Sequence, residues 1–279
     1  MGAIIIFIKE IINEHKGFGK QIFKLAKIEL VKTYKGSALG PLWAVIKPTF
    51  QLFVYWFAFS VGIKAVHEIG VDVGDVTMSF TRFVFMISGL VPWFYISESI
   101  SQGSKVIRSH RQFVTKVNFP VSTIMTYTAL SRLYIHIMLS VIMYIVLICF
   151  GYYPSIYNLQ YFFYMPLMFL FFVFLSWSTA SMSAFSPDFE NALASFMTGM
   201  FWLSGVIYNS YDLPAPIDKI MLFNPVNFFV NGYRNCFLYN RPFYDYKLEL
   251  VIFLFEFALV FFLGVYNYNR LRKRIPDVL

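Results

Sequence analysis

The stretch YFFYMPLMFLFFVFLSWSTASMSAF, residues 161–185, decides the fold class. It carries no charged side chain over more than the roughly 20 residues that a helix needs to cross a bilayer. Backbone groups in hydrocarbon must be satisfied within their own segment, so the run reads as a transmembrane helix. Working outward gives five more runs of this kind, at residues 44–63, 83–103, 122–150, 192–211 and 249–269. The run 122–150 is longer than a crossing requires, and residues 122–131 are rich in Ser, Thr and Tyr. That part is expected to line a wet vestibule or to extend below the membrane.

Composition agrees. The chain is 58% apolar and only 14% charged, against about a quarter charged in soluble domains. Aromatic residues make up 21%, and several stand at the ends of apolar runs, as an interfacial belt does. A formal charge of +8 suits nucleic acid or an anionic surface, but the basic clusters flank the apolar runs. They are a topology signal. Lys9, Lys16, Lys20, Lys24, Lys27, Lys32 and Lys35 precede the first run; Lys105, Arg108, Arg111 and Lys116 follow the second; Arg270, Arg272, Lys273 and Arg274 follow the last. Six crossings then place both termini in the cytoplasm, with the chain in the cell membrane.

The chain therefore reads as one all-α membrane domain with six transmembrane helices. Residues 1–43 form a cytoplasmic segment with an amphipathic interfacial helix, residues 44–269 the membrane domain, and residues 270–279 a basic tail. The long external connection before the last run is too apolar for a free loop. It is expected to hold short re-entrant helices at about residues 213–241. Cys149 and Cys236 have no metal or redox spacing, and Cys149 is expected to be a small buried hydrophobe. The start of the chain lacks a basic n-region, so a cleaved signal peptide is not expected.

Ahead of the first run, Lys20, Lys24, Lys27 and Lys35 fall on one helical face, with Ile22, Leu25, Ala26 and Leu30 opposite. This helix either anchors the topology or acts as a gate touching an anionic lipid-linked substrate. The stretch Thr33-Tyr34-Lys35-Gly36-Ser37-Ala38-Leu39-Gly40-Pro41-Leu42-Trp43 joins it to the membrane. Its small residues are expected to serve close packing and movement.

No catalytic or nucleotide-binding pattern is present. Gly17-Phe18-Gly19-Lys20-Gln21 lacks the glycine spacing and the hydroxyl residue of a phosphate loop. If ATP is used, another subunit must hydrolyse it. His15, His67, His110 and His136 are scattered without ligand spacing, so no metal is expected. Ionisable residues inside apolar runs are costly and therefore functional candidates: Glu98, Arg132, His136 and Glu256. Arg132 falls near the inner interface, with His136 one turn deeper. Its planar fork suits a diphosphate head group; the alternatives are a snorkelling side chain or a pair with Glu98. Tyr55, Trp56, Trp93, Phe94, Trp177 and Trp202 either stack on sugar faces along a conduit or serve as belt and packing residues. The basic connection 105–116 signals topology, and its charge also suits the acidic cleft of a cytoplasmic partner.

These residues carry a resemblance. The run Tyr34, Ser37, Leu39, Gly40 and Trp43, then Pro48 and Tyr55-Trp56, resembles the opening of ABC-exporter permeases for cell-surface polysaccharides. Asn118-Phe119-Pro120 with Ser122, Ser131-Arg132 with Tyr134 and His136, and Tyr153-Pro154-Ser155-Ile156 look most like the wall teichoic acid translocation permeases. Asn224-Pro225 and Tyr233-Arg234 fit the external helices of that family. The resemblance implies a homodimer paired with a separate ATPase subunit that binds ATP and magnesium, so this chain is itself no enzyme. Residues 105–116, with Lys105, Arg108, Arg111 and Lys116, would be the coupling helix on that ATPase. The substrate would be a polymer on undecaprenyl diphosphate, carried to the outer leaflet, with Lys35, Ser37, Gly40, Trp43, Arg132 and His136 at its gate. O-antigen or capsule export is the alternative of the same class. A membrane transferase is the alternative of another class, and it would need an acidic or His cluster at one interface. At Ser186-Pro187-Asp188 the chain departs from relatives that place Arg before Asp, which tells against a cytoplasmic ion pair there.

Overall fold

The computed structural model describes residues 2–62, 68–73, 76–117 and 119–279. His67, Asn118 and the end of the first run at Ile63 lie outside them. Two amphipathic helices come first, α1 (Gly2–His15) and α2 (Gly19–Thr33). A 3-10 turn at Gly40–Leu42 leads into α3 (Trp43–Phe57), which continues as a π-turn, Ala58–Gly62. Strands β1 (Glu68–Val73) and β2 (Val76–Thr81) follow, then α4 (Arg82–Ser101). Two short helices, α5 (Val106–Ser109) and α6 (Arg111–Lys116), precede α7 (Val121–Cys149). Next come α8 (Tyr161–Phe185), α9 (Pro187–Trp202), α10 (Ile217–Met221) and α11 (Pro225–Arg234). The chain closes with α12 (Lys247–Leu271) and α13 (Ile275–Val278).

Among the described residues, four helical stretches are long and apolar enough to cross a membrane: Arg82–Ser101, Val121–Cys149, Ile156–Phe185 and Lys247–Val278. The protein is thus a multi-pass membrane protein. The run 192–211 is not one helix. Helix α9 begins earlier, because Ser186 is extended and Pro187 occupies the first turn with Asp188 and Glu190, as helix starts favour. It ends at Trp202, where Gly205 takes a φ of 62° and turns the chain. Its 16 residues span only about 24 Å.

The all-α expectation also needs one exception. β1 and β2 form an antiparallel hairpin, in register from Glu68 opposite Thr81 to Val73 opposite Val76. Period-two alternation explains it: Val71 and Phe80 are buried, with Ile69 and Met78 packed beside them, while Gly70 and Ser79 are exposed.

Helix α4 is the centre of the bundle. Its residues from Val84 to Trp93 are all buried, as expected of a helix apolar on every side. It packs on α7, α11, α9, α3 and α8. Helices α8 and α12 lie together along their length, and Gly264 lets the α12 backbone approach the Phe174 carbonyl. Helix α11 wedges in from the outside with every residue from Val226 to Arg234 buried. Phe228 stacks flat on Phe253 of α12 at 4.0 Å.

The polar start of α7 is held by the N-terminal helices. Ile22 and Ala26 of α2 pack there, opposite the exposed lysines, as the amphipathic pattern requires. The His15 ring lies 2.9 Å from Thr126 Oγ1. Glu14 of α1 accepts hydrogen bonds from Ser122 Oγ and from Tyr268 Oη at 2.6 Å. Arg272 bonds Glu14 at 2.6 Å and Glu10 at 2.5 Å. This clasp joins α1 to the region after α12, and the stretch 122–131 is mostly buried, with Thr128 and Ser131 reaching the wall of a cavity.

Two further expectations are corrected. Gly36 and Gly40 have φ of 88° and 52°, and a Cβ on either would meet nothing within 4 Å. The turn therefore needs glycine for its backbone, not for close packing. Cys149 is exposed at the end of α7, and Cys236 is the buried cysteine.

A Cβ at Gly89 would collide with the Val206 carbonyl and the Arg234 guanidinium. Gly89→Ala should cost about 1–3 kcal/mol by overpacking, read as a lower melting temperature of the solubilised protein. Gly199→Ala, where nothing lies within 4 Å, should not lower it.

Candidate functional site

A cavity of about 620 Å³ opens between α2, α3, α4, α5 and α7. Its wall carries two cations, Lys47 and Arg132, and two acids, Glu29 and Glu98. Tyr34, Gln51, Gln102, Thr128 and Ser131 add polar atoms, and Trp93 and Phe94 add aromatic faces. Arg132 is half-buried on α7 and makes no hydrogen bond or ion pair within 4 Å among the described residues. The pair with Glu98 does not form, although both line the cavity. Lys47 is exposed on α3, with its Nζ 5.7 Å from the Tyr34 ring. An arginine held in a chamber with its donors uncommitted is suited to an incoming anion.

His136 sits at the closed end. Its Nε2 lies 2.6 Å from Tyr233 Oη, and its ring packs among Tyr95, Tyr161 and Tyr233. His136 is 1% exposed, lines the cavity wall and ties α7 to α11. Lys35 and Ser37 are exposed in the turn after α2, with Ser37 Oγ bonded to the Tyr34 carbonyl at 2.8 Å. Neither they nor Gly40 and Trp43 line the cavity.

The aromatic candidates divide. Trp93 and Phe94 line the cavity. Tyr55 stacks on Phe201 at 5.3 Å, and Phe201 lies 5.5 Å from Trp93 and 5.1 Å from Trp202. Trp56 meets the edge of Phe83 at 6.2 Å. Trp177 is buried on the far side against Phe174. They form a packing cluster on α3, α4 and α9 with Trp177 apart from it, not one continuous row.

The basic connection is two short helices broken at His110, not one. Lys105, Arg111 and Lys116 are exposed. Arg108 turns inward: its Nε donates to the Ser183 carbonyl at 2.8 Å, its Nη2 donates to Ala184 at 3.2 Å, and Glu190 lies at 3.4 Å. It thereby satisfies carbonyls at the end of α8 that lack helical partners. An ion pair does exist at this corner, then, through Glu190 instead of Asp188. His110 is buried, its Nδ1 2.9 Å from the Val106 carbonyl and its Nε2 3.3 Å from Glu29 Oε2. The His110 ring at 3.3 Å holds the Glu29 carboxyl below the usual carboxylate range, outweighing its partial burial. The connection is thus bolted to α8 and α9 through Arg108 and to the cavity wall on α2 through His110.

On the opposite side, Asn224 caps α11 by accepting from the amides of Val226 and Asn227, with Pro225 in the first turn. Its Nδ2 donates to the Leu203 carbonyl at 3.1 Å. Arg234 is fully buried and donates to the carbonyls of Gly205, Val206 and Tyr208, with the Phe85 ring 3.7 Å beneath. Both are structural. Glu256 on α12 lies away from the cavity. No cluster of three or more His, Cys, Asp or Glu occurs among the described residues.

Sequence reasoning missed Lys47, Glu29 and His110. Lys47 was detectable, being a charge inside the run 44–63, and Glu29 is the lone acid of α2.

The family described as ABC-2 type transporter matches residues 20–238. Two proteins of Klebsiella pneumoniae, each named O-antigen export system permease protein RfbA, are 26% and 24% identical over 258 residues. Those alignments cover 90% of this chain and 92% of each relative. The protein of that name from Myxococcus xanthus is 23% identical over 223 residues, covering 79% of this chain and 81% of its own length.

A carboxyl whose pKa is depressed on folding contributes stability above its unfolded pKa and loses it as pH falls. Glu29→Gln should therefore lower the melting temperature at neutral pH, by the equivalent of up to about 1 kcal/mol for a partly exposed pair. The gap from the unmodified protein should close as pH falls below 4.5.

Proposed function

Since the chain belongs to the ABC-2 type transporter family, we propose that it is the membrane permease of an ATP-driven exporter of a lipid-linked surface polysaccharide. The observation that carries this reading is the uncommitted Arg132 guanidinium beside Lys47 in a chamber with aromatic faces. A lipid diphosphate gives these two cations their counter-charge, and the first sugars meet Trp93 and Phe94. Lys47 takes the role that the sequence suggests for Lys35, because the left-handed turn at Gly36 leaves Lys35 outside. The O-antigen names of the curated relatives favour a polymer of that class. Wall teichoic acid shares the same lipid diphosphate and is the alternative.

In this reading α3, α4, α7, α8, α9 and α12 make six crossings with both termini cytoplasmic, and two copies enclose the polymer path. A separate subunit binds ATP and magnesium. It docks on the exposed Lys105, Arg111 and Lys116. Arg108 then passes its movement to the start of α9, and His110 passes it to α2 at the chamber mouth. A membrane transferase would need a group of acids or histidines at one interface. It would be favoured by polymer transfer from the purified chain alone.

Depletion of the protein should leave a lipid-linked polymer inside the cell, and its identity decides between O-antigen and teichoic acid. Arg132→Gln and Lys47→Gln together should lower export about tenfold or more at equal protein abundance, the scale of lost charge-assisted hydrogen bonds. Lys35→Gln should export normally. Normal export by the double variant would remove the chamber from the substrate path. His110→Ala should leave ATP hydrolysis by the complex intact while export falls.

A further inference from the structure

A second cavity, of about 120 Å³, lies below the external helices, bounded by Ser210, Tyr211, α10, α11 and the first turn of α12. Its polar wall consists of oxygen donors: the Asp218 and Glu249 carboxyls, the Asn227 amide, the Ser210 hydroxyl and the Tyr211 phenol. No Lys, Arg or His lines it among the described residues. Asn227 is 4% exposed. Its Nδ2 donates to the Met221 carbonyl at 3.3 Å, which leaves Oδ1 as a buried acceptor with no donor. Asp218 Oδ1 is buried without a partner as well. Glu249 receives one hydrogen bond, from Tyr211 Oη at 3.3 Å. Ser210 Oγ already accepts from Asn231 Nδ2 at 3.0 Å.

Two carboxyls, one of them with an orphaned buried oxygen, the orphaned amide oxygen of Asn227 and no cation on the wall make an arrangement that water satisfies only in part. Water can donate to the acceptors, but it cannot neutralise two acids drawn into one small space. Hard divalent cations do both, since they take oxygen ligands from carboxylates, amide carbonyls and water. The volume admits an ion with part of its hydration shell.

We propose that this cavity binds a divalent cation of the calcium and magnesium class through Asp218, Glu249 and Asn227, with water completing its shell. The ion joins α10 and α11 to the start of α12, fixing the external segment on the last long helix. The site is separate from the Arg132 chamber and does not depend on what the protein transports.

The test titrates calcium, and separately magnesium, into the purified full chain in nanodiscs of zwitterionic phosphatidylcholine. One saturable site per chain is expected. Asp218→Asn and Glu249→Gln should each weaken it about tenfold or more, because affinity in such sites follows the number of charged ligands. Asp212→Asn, exposed and off the cavity wall, should leave it unchanged. In the unmodified protein, calcium should slow amide hydrogen exchange over residues 210–222, a readout that needs no variant to fold. The absence of saturable binding would overturn the proposal. So would undiminished binding in a folded Asp218→Asn, Glu249→Gln double variant, or exchange protection confined to other segments.

Discussion

A buried peptide carbonyl has no water to turn to, and the fold depends on how this protein meets that constraint at the end of α9. The helix stops at Trp202, yet the chain stays buried through Gly205, Val206 and Ile207. One guanidinium, that of Arg234, supplies donors for three of the carbonyls exposed by the break. Each unsatisfied carbonyl would cost about 1–3 kcal/mol, so the break can exist only because α11 delivers that side chain. Helix α11 must then be buried whole, and Gly89 must lack a side chain where the guanidinium passes. Arg108 does the same work at the other end of α9, for the last carbonyls of α8. Both arginines act as braces, each satisfying carbonyls at a helix end.

The chamber follows from this bracing. With α4 fixed by α11 on one side and by α7 on the other, the faces bearing Glu98 and Arg132 are held close without closing into an ion pair. A closed pair would satisfy both charges and leave little reason for an anion to enter. Holding them apart leaves the arginine without a hydrogen-bond or ion-pair partner among the described residues.

The long apolar runs were legible because length and hydropathy alone constrain a crossing helix. The amphipathic face of α2 was legible for the same reason of simple periodicity. The break in α9 was not, because residues 203–209 are as apolar as a helix would be. Their satisfaction comes from Arg234, far along the chain. The hairpin did leave a signal, the period-two pattern of Ile69, Val71, Met78 and Phe80, which a search for helices passes over. At the site, Arg132 stood out as a charge within an apolar run. Lys35 was named and Lys47 passed over, although Lys47 is the charge inside the first apolar run and the one that reaches the cavity. The pairing of Glu29 with His110 joins distant segments and has no local pattern at all.

The Glu14 clasp imposes an order on the making of the protein. Glu14 leaves the ribosome well before its partner Arg272, which comes 258 residues later. At about 5–20 residues per second, that is a delay on the order of ten to fifty seconds. For that interval α1 has two carboxylates without their arginine, and the polar start of α7 lacks the cover that Tyr268 and α1 together provide. Helix α1 is synthesised well before the residues that lock it. Closure of the clasp therefore marks the arrival of α12 and the residues just after it, and a chain that lacks Arg272 carries the resulting fault at α1, far away in sequence.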